Sequence, residues 1–202
     1  MKKILAIGPH PDDIELGCFG TMCKYADMWY EVHFLVLTHG EWGTDGASRI
    51  PEAEKAASLL TCNLSIENLK DRYISEGAET IAVIEKYVKK IQPDMVFVPS
   101  MHDIHQDHRA VHKAAMVAVR LVKEIFVYQS PSTTYDFKPN YYVDITKYIN
   151  KKVEAVKIHS SQWGKVYMAD RAVKGLAEYR AFDIFLNDKL VEAFEVLKFI
   201  EY

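Results

Sequence analysis

Cysteine is scarce: Cys18, Cys23 and Cys62 are the only three in 202 residues. Their odd number and the lack of a Cys-x-x-Cys pair speak against a disulfide framework, so all three read as small buried hydrophobes in a reducing compartment. Long apolar runs are missing too, and nothing is long enough to span a bilayer. The stretch Ile4 to Ile7 behind Lys2-Lys3 is too short for a signal peptide and ends in polar residues, which makes the cytoplasm the expected location. No block of lysine or arginine occurs, and a formal charge of −3 leaves no electrostatic footprint for nucleic acid or an anionic membrane. A small molecule is the expected partner. Repeats, low-complexity tracts and linkers are also absent. With 49% hydrophobic residues, residues 1–202 are read as one large domain.

Short apolar runs alternate with amphipathic stretches through the first two-thirds of the chain. Strands are expected at 3–8, 32–38, 64–67, 95–99, 125–129 and 141–145, with a strand-like tail at 193–199. Apolar residues recurring three or four apart predict helices over 16–28, 50–61, 78–91 and 107–123, then over 146–160 and 168–179. Such alternation predicts an α/β fold, a single-domain Rossmann-like doubly wound sheet, mostly parallel, with strand order beginning 3-2-1-4-5 and an irregular C-terminal extension. In that order strands one and four are neighbours at the switch point, and ligands bind beyond their carboxyl ends.

Two polar clusters leave those strands. Pro9-His10-Pro11-Asp12-Asp13 follows the first, and His102-Asp103-Ile104-His105-Gln106-Asp107-His108 follows the fourth. Adjacent carboxylates and imidazoles are costly to hold together unless a cation or a reaction needs them. His10 and Asp13 are three apart, and His105 and His108 repeat the spacing, so each pair can point at one spot. Three of the four could hold zinc with a water position left open, leaving Asp12 or its neighbour as general base and one histidine to support the transition state. A cation there would activate water toward an amide or ester. His112, four residues after His108, is the rival ligand, and His102 is another.

The stretch from His10 to Thr21, paired with His105-Gln106-Asp107-His108, resembles the LmbE-like or PIG-L family of zinc-dependent N-deacetylases. Further segments fit: Leu37-Thr38-His39-Gly40-Glu41, Arg49 with Glu52 and Ala53, Val143-Asp144-Ile145-Thr146 and His159-Ser160-Ser161-Gln162. The resemblance covers nearly the whole chain. It implies His10, Asp13 and His108 as metal ligands for Zn2+, with Fe2+ able to use the same donors. It implies Asp12 as the base, His105 as oxyanion stabiliser or acid, and Asp107 as the residue that orients a histidine. Arg49 becomes a candidate for sugar hydroxyls, and the substrate an N-acetylated amino sugar or conjugate. The family also implies a homo-oligomer, a trimer or hexamer. Phe19 departs from the family's Gly-x-Gly-Gly pattern and either narrows the mouth or packs.

Other residues carry plainer readings. His-Pro-Asp-Asp alone could be a helix-capping turn. His39 ends strand two near the crevice and could touch substrate; Trp42, beside Gly40 and Gly43, could stack on a sugar. His33 reads as structural, His159 as a helix C-terminal histidine, and the Tyr-rich stretch 135–142 as packing or a subunit contact. Two competing functions remain: a metal-dependent amidase or esterase on a non-sugar compound, and a non-catalytic nucleotide-binding module. The latter calls for Gly-x-Gly-x-x-Gly after the first strand, where this chain places two carboxylates that would repel phosphate.

Overall fold

Val, Ile, Leu and Phe fill the short apolar runs, and each run becomes a strand of one sheet buried on both faces. The structure, a computed structural model, describes residues 1–43 and 46–200. Strands β1 (Lys3–Gly8), β2 (Glu31–Thr38), β3 (Cys62–Leu69), β4 (Met95–Pro99) and β5 (Glu124–Tyr128) run parallel. Two antiparallel strands, β6 (Tyr141–Asp144) and β7 (Val191–Phe199), complete the order β3-β2-β1-β4-β5-β7-β6. The doubly wound reading and the order beginning 3-2-1-4-5 therefore hold, and the C-terminal segment joins the same sheet. β3 runs longer than the expected 64–67 because its length is set by pairing with β2, and its side chains are mostly half-buried at the sheet edge.

Alternate residues of β1 feed opposite cores, as the pleat requires. Ile4 and Ala6 join Phe34, Phe97, Phe126 and Phe194 under the helices α1 (Asp13–Gly17), α2 (Phe19–Asp27), α3 (Gly46–Ser58), α6 (Ile149–Ile158) and α7 (Asp170–Phe182). Leu5 and Ile7 join Leu35, Val96 and Val98 under α4 (Ala78–Ile91) and α5 (Gln106–Ala118). Phe97 stacks on Phe126 at 4.9 Å between ring centres, so the first core is aromatic where β4, β5 and β7 meet.

The helix expected over 16–28 is two helices, broken at Cys18, whose φ of −146° is not helical. Gly17 lies so close to the Tyr128 ring that a Cβ would overlap it, and the Tyr128 hydroxyl donates to the Ile7 carbonyl at 2.8 Å. Close approach to β5 thus falls at the break between α1 and α2. α5 stops at Ala118 rather than 123, and 146–160 opens as a 3-10 turn, Thr146–Tyr148, before α6. Phe19 is fully buried against Phe34, so it packs and does not narrow a mouth.

Pairing of Ile4 with Met95 and Ala6 with Phe97 makes β1 and β4 end side by side. Their loops leave the same sheet edge, which fixes where the two polar clusters meet.

Candidate active site

The loops after β1 and β4 close a cavity of about 320 Å³ whose lining includes His10, Asp12, Asp13, His105 and His108. Asp13 stands at the centre. Its Oδ2 lies 3.2 Å from His10 Nδ1 and its Oδ1 lies 3.3 Å from His108 Nε2. One ligand atom from each of the three residues falls within 4.8 Å of the others, and all three residues are buried. A second triple, His10, His105 and Asp107, meets the same distance condition.

Each histidine beside Asp13 turns its outer nitrogen to a buried carboxylate. His10 Nε2 lies 3.1 Å from Asp107 and 3.1 Å from Asp71, while His108 Nδ1 lies 3.0 Å from Asp103. Such contacts fix ring orientation and tautomer for metal binding and raise ligand basicity. Two imidazole nitrogens and a carboxylate on an accessible cavity are a donor set that zinc accepts, so the residues present fit a divalent cation.

The charges agree with the distances. Burial alone would lower the His108 pKa, but the charge of Asp13 and hydrogen bonds to Asp103 and Asp13 outweigh it and raise it to about 9. Burial opposes ionisation of Asp13, yet the charge of His108 and a hydrogen bond from His10 hold it well below the usual carboxylate range. His105 goes the other way: burial, then the charges of His10 and His108, lower its pKa. At the N-cap of α5 its Nδ1 accepts the Asp107 amide at 3.2 Å, so the neutral ring carries its proton on Nε2. That nitrogen is the group His105 can offer as a donor.

Asp12 adopts φ +106°, a conformation rare for a side-chain-bearing residue and held only where surroundings over-determine it. Arg49 supplies the constraint. Its Nη2 lies 3.1 Å from Asp12 Oδ1 and also donates to the Pro11 carbonyl, while Nη1 donates to the Gly40 carbonyl at 3.3 Å. Burial raises the Asp12 pKa, with Arg49 opposing and Asp13 adding to the rise. Arg49 is only 3% exposed. Expected as a sugar-binding residue, it lines the cavity with its guanidinium already engaged by the β1 loop.

His39 is half-buried and does not line this cavity. Trp42 does not line it either; its indole stacks under Arg72, whose guanidinium carbon lies 5.3 Å from the ring centre and which does line it. His112 is drawn away, its Nδ1 bonded to the Pro99 carbonyl at 2.9 Å, and His102 is exposed. His33 pairs with Glu31 at 2.8 Å, the structural reading. His159 is the C-cap residue of α6, as expected of a helix C-terminal histidine, but its ring is fully buried 3.5 Å from Glu15 rather than set against solvent-exposed carbonyls.

Asp71 escaped sequence reasoning. It lies in the loop after β3 and carries no motif, and its one signal was a charged residue at the same sheet edge as His10. Asp103 was visible as part of the second cluster but had no role until the structure put its Oδ2 on His108 and Ser130, and its Oδ1 on Ser132.

Comparison with known proteins follows the same lines. The PIG-L family, described as GlcNAc-PI de-N-acetylase, matches residues 5–119, which hold all the residues placed around Asp13. The uncharacterized deacetylase YaiS of Escherichia coli is 38% identical over 79% of this chain and 91% of the relative. Diacetylchitobiose deacetylase of Thermococcus kodakarensis is 29% identical over 81% of this chain and 71% of that protein. In structure, the conserved protein TT1542 of Thermus thermophilus superposes with a TM-score of 0.89 at 26% identity, covering 100% of this chain and 97% of that one. A family match over more than half the chain, together with a 38% identical relative, settles the affiliation: the chain belongs to the PIG-L family of de-N-acetylases.

Proposed function

We propose that the chain removes the N-acetyl group from an N-acetylated amino sugar or its conjugate, releasing acetate and a free amine, with one divalent cation held by His10, Asp13 and His108. What carries this reading is the double contact of Asp13, one oxygen to each histidine, at the floor of an accessible cavity. The second triple would recruit Asp107, which does not line the cavity, and would leave His108 unused. Zinc suits two nitrogens and an oxygen, and Fe2+ can use the same donors. When bound, the cation polarises the acetamide carbonyl and lowers the pKa of water toward about 7.

The side chains supply the remaining steps. Asp12, fixed by Arg49 at the cavity wall, takes a proton from the attacking water as the new C–O bond forms. His105 Nε2–H donates to the carbonyl oxygen while that atom gains negative charge. The C–N bond then breaks, and the proton held by Asp12 passes to the departing nitrogen, so atoms and charge balance. Asp107 and Asp71 orient His10, Asp103 orients His108, and Arg49 acts by positioning Asp12. His39 and Trp42, outside the cavity lining, are left as contacts for a substrate larger than one ring.

Likeness to diacetylchitobiose deacetylase supports a sugar substrate. In this reading residues 1–202 work as one domain, in the cytoplasm and as a homo-oligomer. Free Cys18, Cys23 and Cys62 support the compartment, and exposed Trp29, Tyr135, Phe182 and Phe185 offer apolar surface for association. No helix of the described residues is long and apolar enough to cross a membrane.

Acetate release from the zinc-loaded chain tests the proposal, using N-acetylglucosamine, its diacetylated disaccharide and an N-acetylated amine that is not a sugar. Turnover of the sugars is expected. Release from the non-sugar alone overturns the substrate class, and no release from any of the three overturns the deacetylase.

A further inference from the structure

A second cavity, of about 240 Å³, adjoins the first, and Leu16, Pro131 and Tyr167 line both. Its far wall is apolar. Ala172, Val173, Leu176 and Ala177 of α7 form one side, and Val191 and Ala193 of β7 form another. No ligand or proton-transfer group of the cation site lines it.

Polar side chains are present in the lining but committed elsewhere. The Ser130 and Thr133 hydroxyls donate to Asp103, at 2.5 and 3.3 Å. Lys152 gives its ammonium to Glu192 at 2.5 Å and to the Leu16 carbonyl at 2.7 Å, and Glu192 also accepts the amides of Gly20 and Thr21. Both members of that pair are only 5% exposed, so an occupant strips little water from them. Arg180 donates to Gln129 and to Asp183, each at 2.7 Å. A hydroxylated occupant would leave its bonds to water and find few replacements, which is the cost of burying unpaired polar groups. An alkyl chain gives up no hydrogen bond, and each methylene buried against apolar walls gains about fourfold in affinity. The location of the cavity then selects the chain. Under the proposed function the acyl carbon lies at the cation held by Asp13, and Leu16 stands three residues further along α1, about 4.5 Å at 1.5 Å per residue. A planar trans amide sends its acyl chain and its nitrogen substituent to opposite sides. With the ring in the polar cation cavity, which Arg72 and Lys165 also line, the group on the carbonyl carbon is the part that passes Leu16 and Tyr167 into the apolar space.

We infer that the adjoining cavity receives an acyl chain longer than acetyl, so that the protein is also an N-deacylase for unbranched acyl amides such as butanoyl and hexanoyl. The inference rests on the deacetylase reading and adds a further activity to it. The reaction is the one already written, with a longer acid: the oxygen of water joins the acyl carbon, the C–N bond breaks, the nitrogen takes the proton, and hexanoate leaves in place of acetate. Selection of the acyl group falls to α7, a helix that contributes nothing to the cation site.

Amine release from N-acetyl-, N-butanoyl- and N-hexanoylglucosamine by the zinc-loaded chain tests it. The hexanoyl compound should exceed the acetyl compound about tenfold in kcat/KM, and a gain of less than about threefold overturns the inference. Ala172→Trp and Leu176→Trp fill the far wall at positions that are not fully buried, and two positions keep the test open should one substitution prevent folding. The hexanoyl-to-acetyl ratio should fall more than about threefold with either tryptophan, and a smaller change with both overturns the inference. Calorimetric titration in the Asp12→Asn background reads binding without turnover. N-hexanoylglucosamine should bind about tenfold more tightly than N-acetylglucosamine, and a gain of less than about threefold overturns the cavity's role. The hexyl glycoside of N-acetylglucosamine carries the same chain at the other end of the ring; if the tryptophans weaken its binding more than that of the hexanoyl compound, the choice of the acyl chain is overturned. Amine release from the acetyl compound without release from the hexanoyl one overturns this inference alone. No release from any of the three overturns the deacetylase reading, and the titration still decides the cavity.

Discussion

The loop after β1 and the loop after β4 each present one histidine to the cation position, and they hold it by different means. His108, in the first turn of α5, leans on Asp103, five residues earlier in the preceding loop, and Ser130, Ser132 and Thr133 donate to that carboxylate. His10 leans on Asp107 and Asp71, which come from two other loops, and the neighbouring Asp12 keeps its positive φ through Arg49 of α3. The β4 loop puts one local carboxylate behind its histidine, held in turn by hydroxyls of the segment after β5. Three separate segments converge on the β1 loop, which gives its histidine two carboxylates. Robustness at the site should follow the number of supports, and fragility should follow the number of segments that must meet.

Removing a ligand breaks the comparison altogether and has the largest expected effect. His108→Ala should lower zinc content to under about a tenth of the unmutated chain's and acetate release to background, because two remaining donors hold the cation poorly. Zinc analysis by atomic emission after dialysis reads it, and full occupancy in the variant would reject His108 as a ligand. Asp12→Asn should come next. It should cut turnover roughly 10²–10⁴-fold, the worth of a positioned base, while metal content stays at the unmutated level. Turnover within about tenfold of the unmutated chain would remove Asp12 from that role.

The comparison itself is sharpened by the supporting carboxylates. Asp103→Asn should weaken zinc affinity roughly 10–100-fold, as loss of a histidine's outer partner typically does, and Asp71→Asn should cost less because Asp107 remains on His10. Chelator competition on both variants checks the order, and a larger loss for Asp71→Asn would contradict it. Gly40→Ala is the mildest of the five. Gly40 has φ +67° and a Cβ there would overlap the Arg49 guanidinium, so the variant should lose about 1–2 kcal/mol in urea unfolding. Its turnover should fall with displacement of Asp12, and unchanged stability together with unchanged turnover would mean that the Arg49 clamp is not needed.

Much of this frame was legible from the residues because the informative signals are local. Helix 78–91 carries a plain amphipathic period and matches α4 end to end, and the alternation of strands and helices sufficed for the order of the first five strands. Convergence of His10 with His108 then followed from strand order. What was not legible depends on contacts between distant segments. The break at Cys18 depends on Gly17 meeting Tyr128, more than a hundred residues away in sequence. Arg49 is 37 positions from Asp12, and nothing in either segment names the other, so their contact was not legible. Asp71 stands in no motif, and only the parallel pairing of β2 with β3 brings the loop that carries it to the sheet edge. The local β4 device was visible as a cluster, whereas the assembled β1 device was visible only at its first histidine.

X-ray absorption at the zinc edge tests the central claim most directly, because it counts the ligands of the cation in the intact chain. The account predicts low-Z donors only, with two imidazoles at about 2.0–2.1 Å in the unmutated chain and one fewer in His108→Ala reconstituted with excess zinc. Sulfur in the coordination sphere, or an imidazole count unchanged by that substitution, would contradict it.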